Sequence, residues 1–387
     1  MTLSTGLAIV ARNIATRLVD KDFDVMSVAI SDRIGSIQCD IIEHIPKNQQ
    51  ESVHLLNNIA HSYKPDVLLT MHDLWNIYSV SNVLSNRSFP WVAYFPVDTT
   101  PYPRYIYTGI ETIDLLSIAK SIDVIVPYTS FGKETLESFG LVQVEDEIHH
   151  GVNNKIYKPN NYSSFRKKMG YDKHDFVFLA VGANFLRKGY DQLLKSWKIF
   201  TSSQYDTGNN VKLHIHTAPF SKRGWNLPHL IDILDLSNSV TVSNSTTAYE
   251  LMTEEQMCDM YNGCDCFVST SMGEGFGLPL LEAAACGKPL IYTNYAGPPT
   301  VFNGCGKSVS YSSTMYQPGM NSKFVIVDNN YCADTMFSMY NKESKDTYVN
   351  NCTKLAKTHD WDIIINKWVN LLESVKRKRW YSKLIKL

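Results

Sequence analysis

The segment STSMGEGFGLPLLE, residues 269–282, decides the reading of this chain. It begins where the apolar run Cys266–Ser269 ends, and that run reads as a buried strand. Gly273, Gly275 and Gly277 follow in a loop, and Pro279 then falls where the first turn of a helix tolerates a missing N–H. A helix is therefore expected over Leu280–Cys286. Its positive end and first-turn N–H groups point back at the glycine loop, where the main chain can approach a ligand closely. Glu274 lies in that loop and Glu282 in the helix, and both carboxylates can accept hydrogen bonds from sugar or ribose hydroxyls.

Outward from this segment, short β-branched runs alternate with amphipathic ones. Strands are expected at Val25–Ile30, Val67–Met71, Trp91–Phe95, Val124–Val126, Phe176–Val181, Lys212–His216, Val240–Val242, Cys266–Ser269 and Pro289–Tyr292. Helical spacing marks Gly6–Val19, Glu51–Ser62, Gly132–Phe139, Tyr190–Phe200, Glu255–Asn262 and Ile363–Val375. Such alternation implies an α/β protein with parallel sheets covered on both faces, and continuous apolar runs such as VFLAV fit that burial. The alternation pauses over residues 145–172, rich in Asn, Lys and Ser, which reads as an interdomain linker with the junction near Gly151.

The sequence has 387 residues, enough for two domains. With 44% hydrophobic and 19% charged residues and a net charge of −1, it is neither disordered nor a nucleic-acid binder. The eight cysteines form no Cys-x-x-Cys pair and read as free thiols. Asn86, Asn161, Asn244 and Asn351 sit in chance glycosylation sequons. With no basic-apolar leader and no run long enough to span a bilayer, a cytoplasmic location is expected. The basic tail from Lys376, with Trp380 and Tyr381, reads as the end of a helix whose cations complement its dipole; peripheral membrane contact is the alternative. Asp20, Asp22 and Asp24, like Asp360 and Asp362, have metal-pair spacing but read as caps and solvated turns, so no metal site is expected.

The segment GEGFGLPLLEAAACGKPLI, residues 273–291, resembles the Glu-x7-Glu signature of family 4 of the retaining glycosyltransferases. The stretches KSIDVIVPYTSFGKE (120–134), IHHGVNNKIYKP (148–159) and FLAVGANFLRKGYDQLL (178–194) resemble further parts of that family. The resemblance implies the GT-B fold: two Rossmann-like domains with a cleft between them and a C-terminal helix crossing back. The expected division is residues 1–152 on the acceptor side, 153–360 on the donor side, and 361–387 packing back toward the first domain. The implied function is transfer of a hexose-type sugar from a UDP-, GDP- or ADP-linked donor to a glycan, lipid-linked or protein acceptor, with retention of configuration and no cofactor.

The roles implied for particular residues follow by position. Glu274, with the backbone of Gly275, Phe276 and Gly277, would bind donor-sugar hydroxyls, and Glu282 the ribose. Lys188 and its neighbour Arg187 would neutralise the diphosphate, joined by N–H groups from Leu278 onward. Gly6, in Ser4-Thr5-Gly6-Leu7, resembles the phosphate loop of the first domain, although that domain's first strand has no counterpart before it. The family's His after the strand matched by Trp91–Phe95 is lacking; Asp98 is the nearest polar candidate to face the reacting carbon, and His72 and Asp73 are the second. The family's Arg five residues before the loop Lys is Ala183 here. Base selection is expected in the loops Pro219–Trp225 and Ser243–Tyr249. The alternative function is a catalytically inactive GT-B protein that binds a nucleotide sugar or serves as a scaffold. A Rossmann dehydrogenase is excluded by the lack of a Gly-x-Gly-x-x-Gly after an early strand.

Overall fold

A computed structural model describes residues 6–28, 43–44, 58, 62–78, 81, 87–107, 111–160, 164–205, 207, 210–243, 252–317, 320–342 and 344–384. Ser4, Thr5 and Cys39, most of the expected helix at residues 51–62, nearly all of the loop at 243–249, and Asn86, Asn161 and Asn244 lie outside them. The chain divides into two compact units. One comprises Met1–Gly151, Pro318–Ser322 and Trp361–Leu387; the other comprises Val152–Gln317 and Lys323–Asp360.

The second unit is built on six parallel strands in the order Val240–Val242, Val211–His216, Phe176–Val181, Cys266–Ser269, Leu290–Thr293 and Gly306–Val309. The centre is apolar because its strands are buried on both faces: Val177, Phe178 and Leu179 are buried, as are Phe267 and Val268. The helix Tyr190–Phe200 covers one face with Leu193, Leu194, Trp197 and Phe200. Chain order runs outward from Phe176–Val181 to one side, then returns to place Cys266–Ser269 on the other. Ligands of such sheets bind at the carboxyl ends of the strands where the order reverses.

In the first unit, Trp91–Phe95 is the middle of a parallel trio with Leu68–Met71 and Val124–Pro127, and all five of its residues are buried. A two-residue parallel ladder joins Ser27–Val28 to Glu43–His44. The last helix, Trp361–Leu384, buries Trp361, Ile364, Ile365, Trp368, Leu372 and Val375, a single stripe at helical spacing. Trp368 meets the ring of Tyr94 with centroids 4.8 Å apart, and Arg17 reaches Asp362 at 3.0 Å. Asp20, Asp22 and Asp24 are exposed around the turn that closes the helix Gly6–Val19.

Some boundaries differ from expectation. Within the expected linker, Ser164–Met169 is helical, and its single buried residue, Phe165, explains why SFRKKM lacks an apolar rhythm. The helix after the glycine loop starts at Leu278, two residues earlier than expected, because Pro279 is compatible with its first turn. Two antiparallel hairpins, Tyr105–Tyr107 with Thr112–Asp114 and Tyr311–Tyr316 with Lys323–Val327, were not expected, nor was the strand Gly306–Val309.

Candidate active site

Two loops of the second unit meet at its switch point. After Phe176–Val181 the chain makes a short 3-10 turn, Leu186–Lys188, which ends at Gly189 with φ of 64°. A Cβ on Gly189 would lie 2.2 Å from the Thr270 carbonyl oxygen, so only glycine fits there. The neighbouring strand's loop is stitched to this turn: Met272 N donates to Arg187 O at 2.7 Å, and the Thr270 hydroxyl donates to Gly189 O at 2.9 Å. The glycine loop then passes through Gly277, φ 95°, into the helix Leu278–Ala285. Gly275, Phe276, Gly277 and Leu278 are all buried along this path.

This arrangement brings Arg187, Lys188 and Glu274 together. The Lys188 ammonium donates to Glu274 Oε2, and Arg187 reaches the same oxygen at 3.3 Å while donating to Gly273 O at 3.1 Å. The Ser271 hydroxyl lies 3.4 Å from that oxygen. Burial by itself would push the Glu274 carboxyl up. The charges of Lys188 and then Arg187, with their hydrogen bonds, outweigh burial and hold it at about 2. Glu274 is therefore an obligate anion and hydrogen-bond acceptor at any physiological pH.

Glu282 is 7% exposed and accepts a 2.7 Å hydrogen bond from the Tyr261 hydroxyl. Burial raises its carboxyl to about 7; the Tyr261 bond opposes the shift, and the charge of Glu254 adds to it. The two glutamates of one motif thus shift in opposite directions: the cations outweigh burial at Glu274, and burial outweighs the Tyr261 bond at Glu282.

Asn184 and the loop at Pro219–Trp225 form a further layer. The Asn184 amide donates to Ala218 O at 2.9 Å and Trp225 O at 2.8 Å, and accepts from Trp225 N at 2.9 Å. Leu186 N donates to Arg223 O at 2.9 Å, so this loop braces the Arg187–Lys188 turn. Beside it, the Ser243 hydroxyl lies 2.7 Å from His216 Nδ1 and 3.2 Å from His214 Nε2. Burial and then the charge of His216 push His214 down to about 3. Sequence reasoning missed Ser271, Tyr261, Asn184 and this histidine pair. Only the placement of His216 at the carboxyl end of a strand carried a signal.

The remaining candidates belong to the first unit. His72 and Asp73 follow the strand Leu68–Met71, and Asp98 follows Trp91–Phe95, so all three sit at carboxyl ends of parallel strands. Asp73 N donates to His72 Nδ1 at 2.8 Å, which puts the ring proton on Nε2; burial lowers the His72 pKa, so the imidazole is neutral. The Tyr102 and Tyr128 hydroxyls are buried with no hydrogen-bond partner among the described residues. Their pKa values are raised first by burial and then by the charges of Asp73 and Asp98. Gly6 opens the first helix, and a Cβ there would meet nothing within 4 Å among the described residues, so no crowding by them demands glycine.

The chain is similar to known proteins in sequence and in fold. Residues 161–306 match the family model of the glycosyl transferases group 1. That stretch contains Arg187, Lys188, Glu274 and Glu282. An uncharacterised glycosyltransferase of Methanocaldococcus jannaschii is 25% identical over 344 residues, covering 81% of each chain. The D-inositol 3-phosphate glycosyltransferase of Rhodococcus erythropolis is 26% identical over 199 residues, 51% of this chain and 43% of that protein. Sucrose-phosphate synthase from Thermosynechococcus elongatus has the same fold, with a TM-score of 0.74 at 16% identity over 96% of this chain and 94% of that one. Anabaena HepE, solved in complex with UDP and glucose, aligns with a TM-score of 0.70 at 15% identity, covering 96% of each chain. The fold is therefore GT-B.

Proposed function

We propose that this chain is a retaining glycosyltransferase that moves a hexose-type sugar from a nucleotide-diphosphate donor to a hydroxyl of a glycan or lipid-linked acceptor. The observation that carries the proposal is the convergence of Lys188 and Arg187 on Glu274 at the switch point, beside the N-terminal end of the helix Leu278–Ala285. A donor diphosphate gains negative charge as the sugar departs. Two cations and a helix terminus already fixed in place stabilise that charge without reorganising. The same two cations supply the compensation that a divalent metal would otherwise provide.

With the diphosphate drawing on Lys188 and Arg187, the Glu274 carboxylate turns to the sugar hydroxyls. Its low pKa suits it to accept hydrogen bonds and unsuits it to donate a proton. Glu282, flanked by the Tyr261 hydroxyl, takes the ribose hydroxyls. In the transfer, the bond from the anomeric carbon to the phosphate oxygen breaks and a bond to the acceptor oxygen forms on the same face. The acceptor proton passes to the departing phosphate oxygen, so no protein base is needed. In the first unit, the carboxylates of Asp98 and Asp73 suit an uncharged polyhydroxyl acceptor and disfavour an anionic one. Neutral His72 contributes an Nε2–H donor there.

The described cysteines are all free, as suits a reducing cytoplasm. Among the described residues no helix is long and apolar enough to cross a membrane. Lys376 pairs with Asp66 at 2.7 Å and Lys378 with Glu145 at 3.8 Å, while the side chains of residues 379–387 lie outside the described set.

The test is proton NMR of the sugar released or transferred from a panel of α-linked UDP, GDP and ADP sugars. An α product appearing first supports retention, and a β product refutes it. Binding of a donor with no turnover under any condition would instead favour the scaffold reading.

A further inference from the structure

Two pairs of thiols interact in the second unit, Cys258 with Cys286 and Cys305 with Cys352, and only the first pair has an accessible member. Cys258 lies on the helix Glu254–Gly263, and Cys286 caps the end of the helix Leu278–Ala285. Their sulfurs are 3.9 Å apart, against the 2.05 Å of a disulfide. The two differ in access: Cys258 is partly exposed, whereas Cys286 is buried like the other described cysteines. They also differ in environment. The hydrogen bond with the Cys286 thiol, and then those with the Lys158 backbone and the Asn262 amide, outweigh burial and bring Cys258 down to about 6, although as a thiol it can also donate to Ile156 O at 3.2 Å; the same thiol contact followed by burial pushes Cys286 up. The Asn262 amide donates to Cys258 Sγ at 3.3 Å, a contact that favours a thiolate. An accessible nucleophilic sulfur therefore sits against a buried, protonated one.

We propose that Cys258 and Cys286 form an oxidation site at which a peroxide installs an intramolecular disulfide. The Cys258 thiolate attacks one oxygen of hydrogen peroxide, the O–O bond breaks, and a sulfenic acid and hydroxide result. The Cys286 sulfur then displaces water from that sulfenic acid, losing its proton as the S–S bond forms. In sum, two thiols and one peroxide give one disulfide and two waters: the sulfurs are oxidised by two electrons and the peroxide is reduced by two.

The position gives the bond a structural consequence. Cys258 lies three residues before Tyr261, and Cys286 four residues after Glu282, so each pair is one turn apart on its own helix. The disulfide would bridge the same two helices as the Tyr261–Glu282 hydrogen bond and clamp the glutamate's helix in place. None of this depends on the glycosyltransferase reading.

The experiment treats the full-length protein with one equivalent of hydrogen peroxide, blocks the remaining thiols by alkylation, and maps the peptides by mass spectrometry. A peptide pair joined through Cys258 and Cys286, lighter by two hydrogens and formed before any other cysteine reacts, is expected. The thermal midpoint should rise by roughly 5 °C and return on reduction with dithiothreitol, because a crosslink restricts the unfolded chain. Cys286→Ser should stop the reaction at a Cys258 sulfenic acid trappable by dimedone, and Cys258→Ser should abolish the crosslink. Oxidation of Cys258 to a sulfinic acid without a crosslink in the parent protein, a crosslink through any other cysteine, or a lowered midpoint would each overturn the proposal. The parent-protein map decides the matter even if a variant fails to fold.

Discussion

Replacing Glu282 by Gln should abolish the pH dependence that this residue imposes on stability. Its folded-state pKa of about 7 lies above the ordinary 4.5 of the carboxyl. Below about pH 4.5 both folded and unfolded chains hold the proton, and the contribution of the protonated pair with Tyr261 is fully present. As pH rises from there toward 7, the unfolded chain gives up its proton first, so unfolding gains and the contribution is lost. The difference between the two pKa values corresponds to about 3 kcal/mol. Glutamine cannot ionise, yet its carbonyl can still accept the Tyr261 hydroxyl, now 2.7 Å from the carboxylate oxygen. Urea unfolding of parent and Glu282→Gln at intervals from pH 4.5 to 8 measures the effect. The two should be within about 1 kcal/mol at the acid end, and the variant should pull ahead by about 3 kcal/mol at pH 8. A difference that stays constant with pH, or a parent that gains on the variant as pH rises, would mean that the Glu282 carboxyl is not raised in the folded protein. A buried carboxylate that weakens the fold near neutrality fits a group kept for binding rather than for stability.

Other expectations follow from the same contacts. Glu274 has the opposite sign: its pKa of about 2 lies below the ordinary 4.5, so its stabilisation is present above pH 4.5 and is lost as pH falls through 2. Lys188→Ala should remove much of that acid-side slope, which acid unfolding curves would register. Gly189→Ala places a Cβ 2.2 Å from Thr270 O at a φ of 64°, and should cost well over ~1 kcal/mol in denaturant melts while displacing the cationic turn. Gly151→Ala drives a Cβ to 2.5 Å from the Trp361 ring and should destabilise the first unit by about 1–3 kcal/mol, read from its tryptophan fluorescence transition. An excess of EDTA should leave transfer rates unchanged, and a fall of tenfold or more would assign the diphosphate to a metal instead.

The parallel α/β architecture was legible where burial wrote it into composition. Phe176–Val181 and Cys266–Ser269 are buried and nearly all apolar, and their expected and observed limits coincide. Gly306–Val309 and Tyr311–Tyr316 escaped because they are mostly accessible: a sheet edge and a hairpin need no apolar run. Helix Ser164–Met169 was hidden by its charges, with Phe165 alone turned inward. At the candidate site, Lys188 and Glu274 could be named from their motifs, but their pairing joins residues 86 positions apart and depends on which strands are neighbours. Tyr261 reads in the sequence as one more core aromatic; only the packing of its helix on Leu278–Ala285 turns its hydroxyl to Glu282. Asn184 gave no signal, since its role is to bond backbone groups of a loop that begins some 34 residues later.

The central claim is that the Lys188–Arg187 turn and the glycine loop hold the diphosphate of a nucleotide sugar. It is tested most directly by calorimetric titration of UDP, GDP and ADP sugars into the parent protein and Lys188→Ala at pH 7 with chelator present. One nucleotide class should bind the parent, and its affinity should fall at least about tenfold in the variant, as loss of one buried charge-assisted contact requires. Equal affinity in parent and variant, or no binding of any nucleotide sugar to the parent, would contradict it.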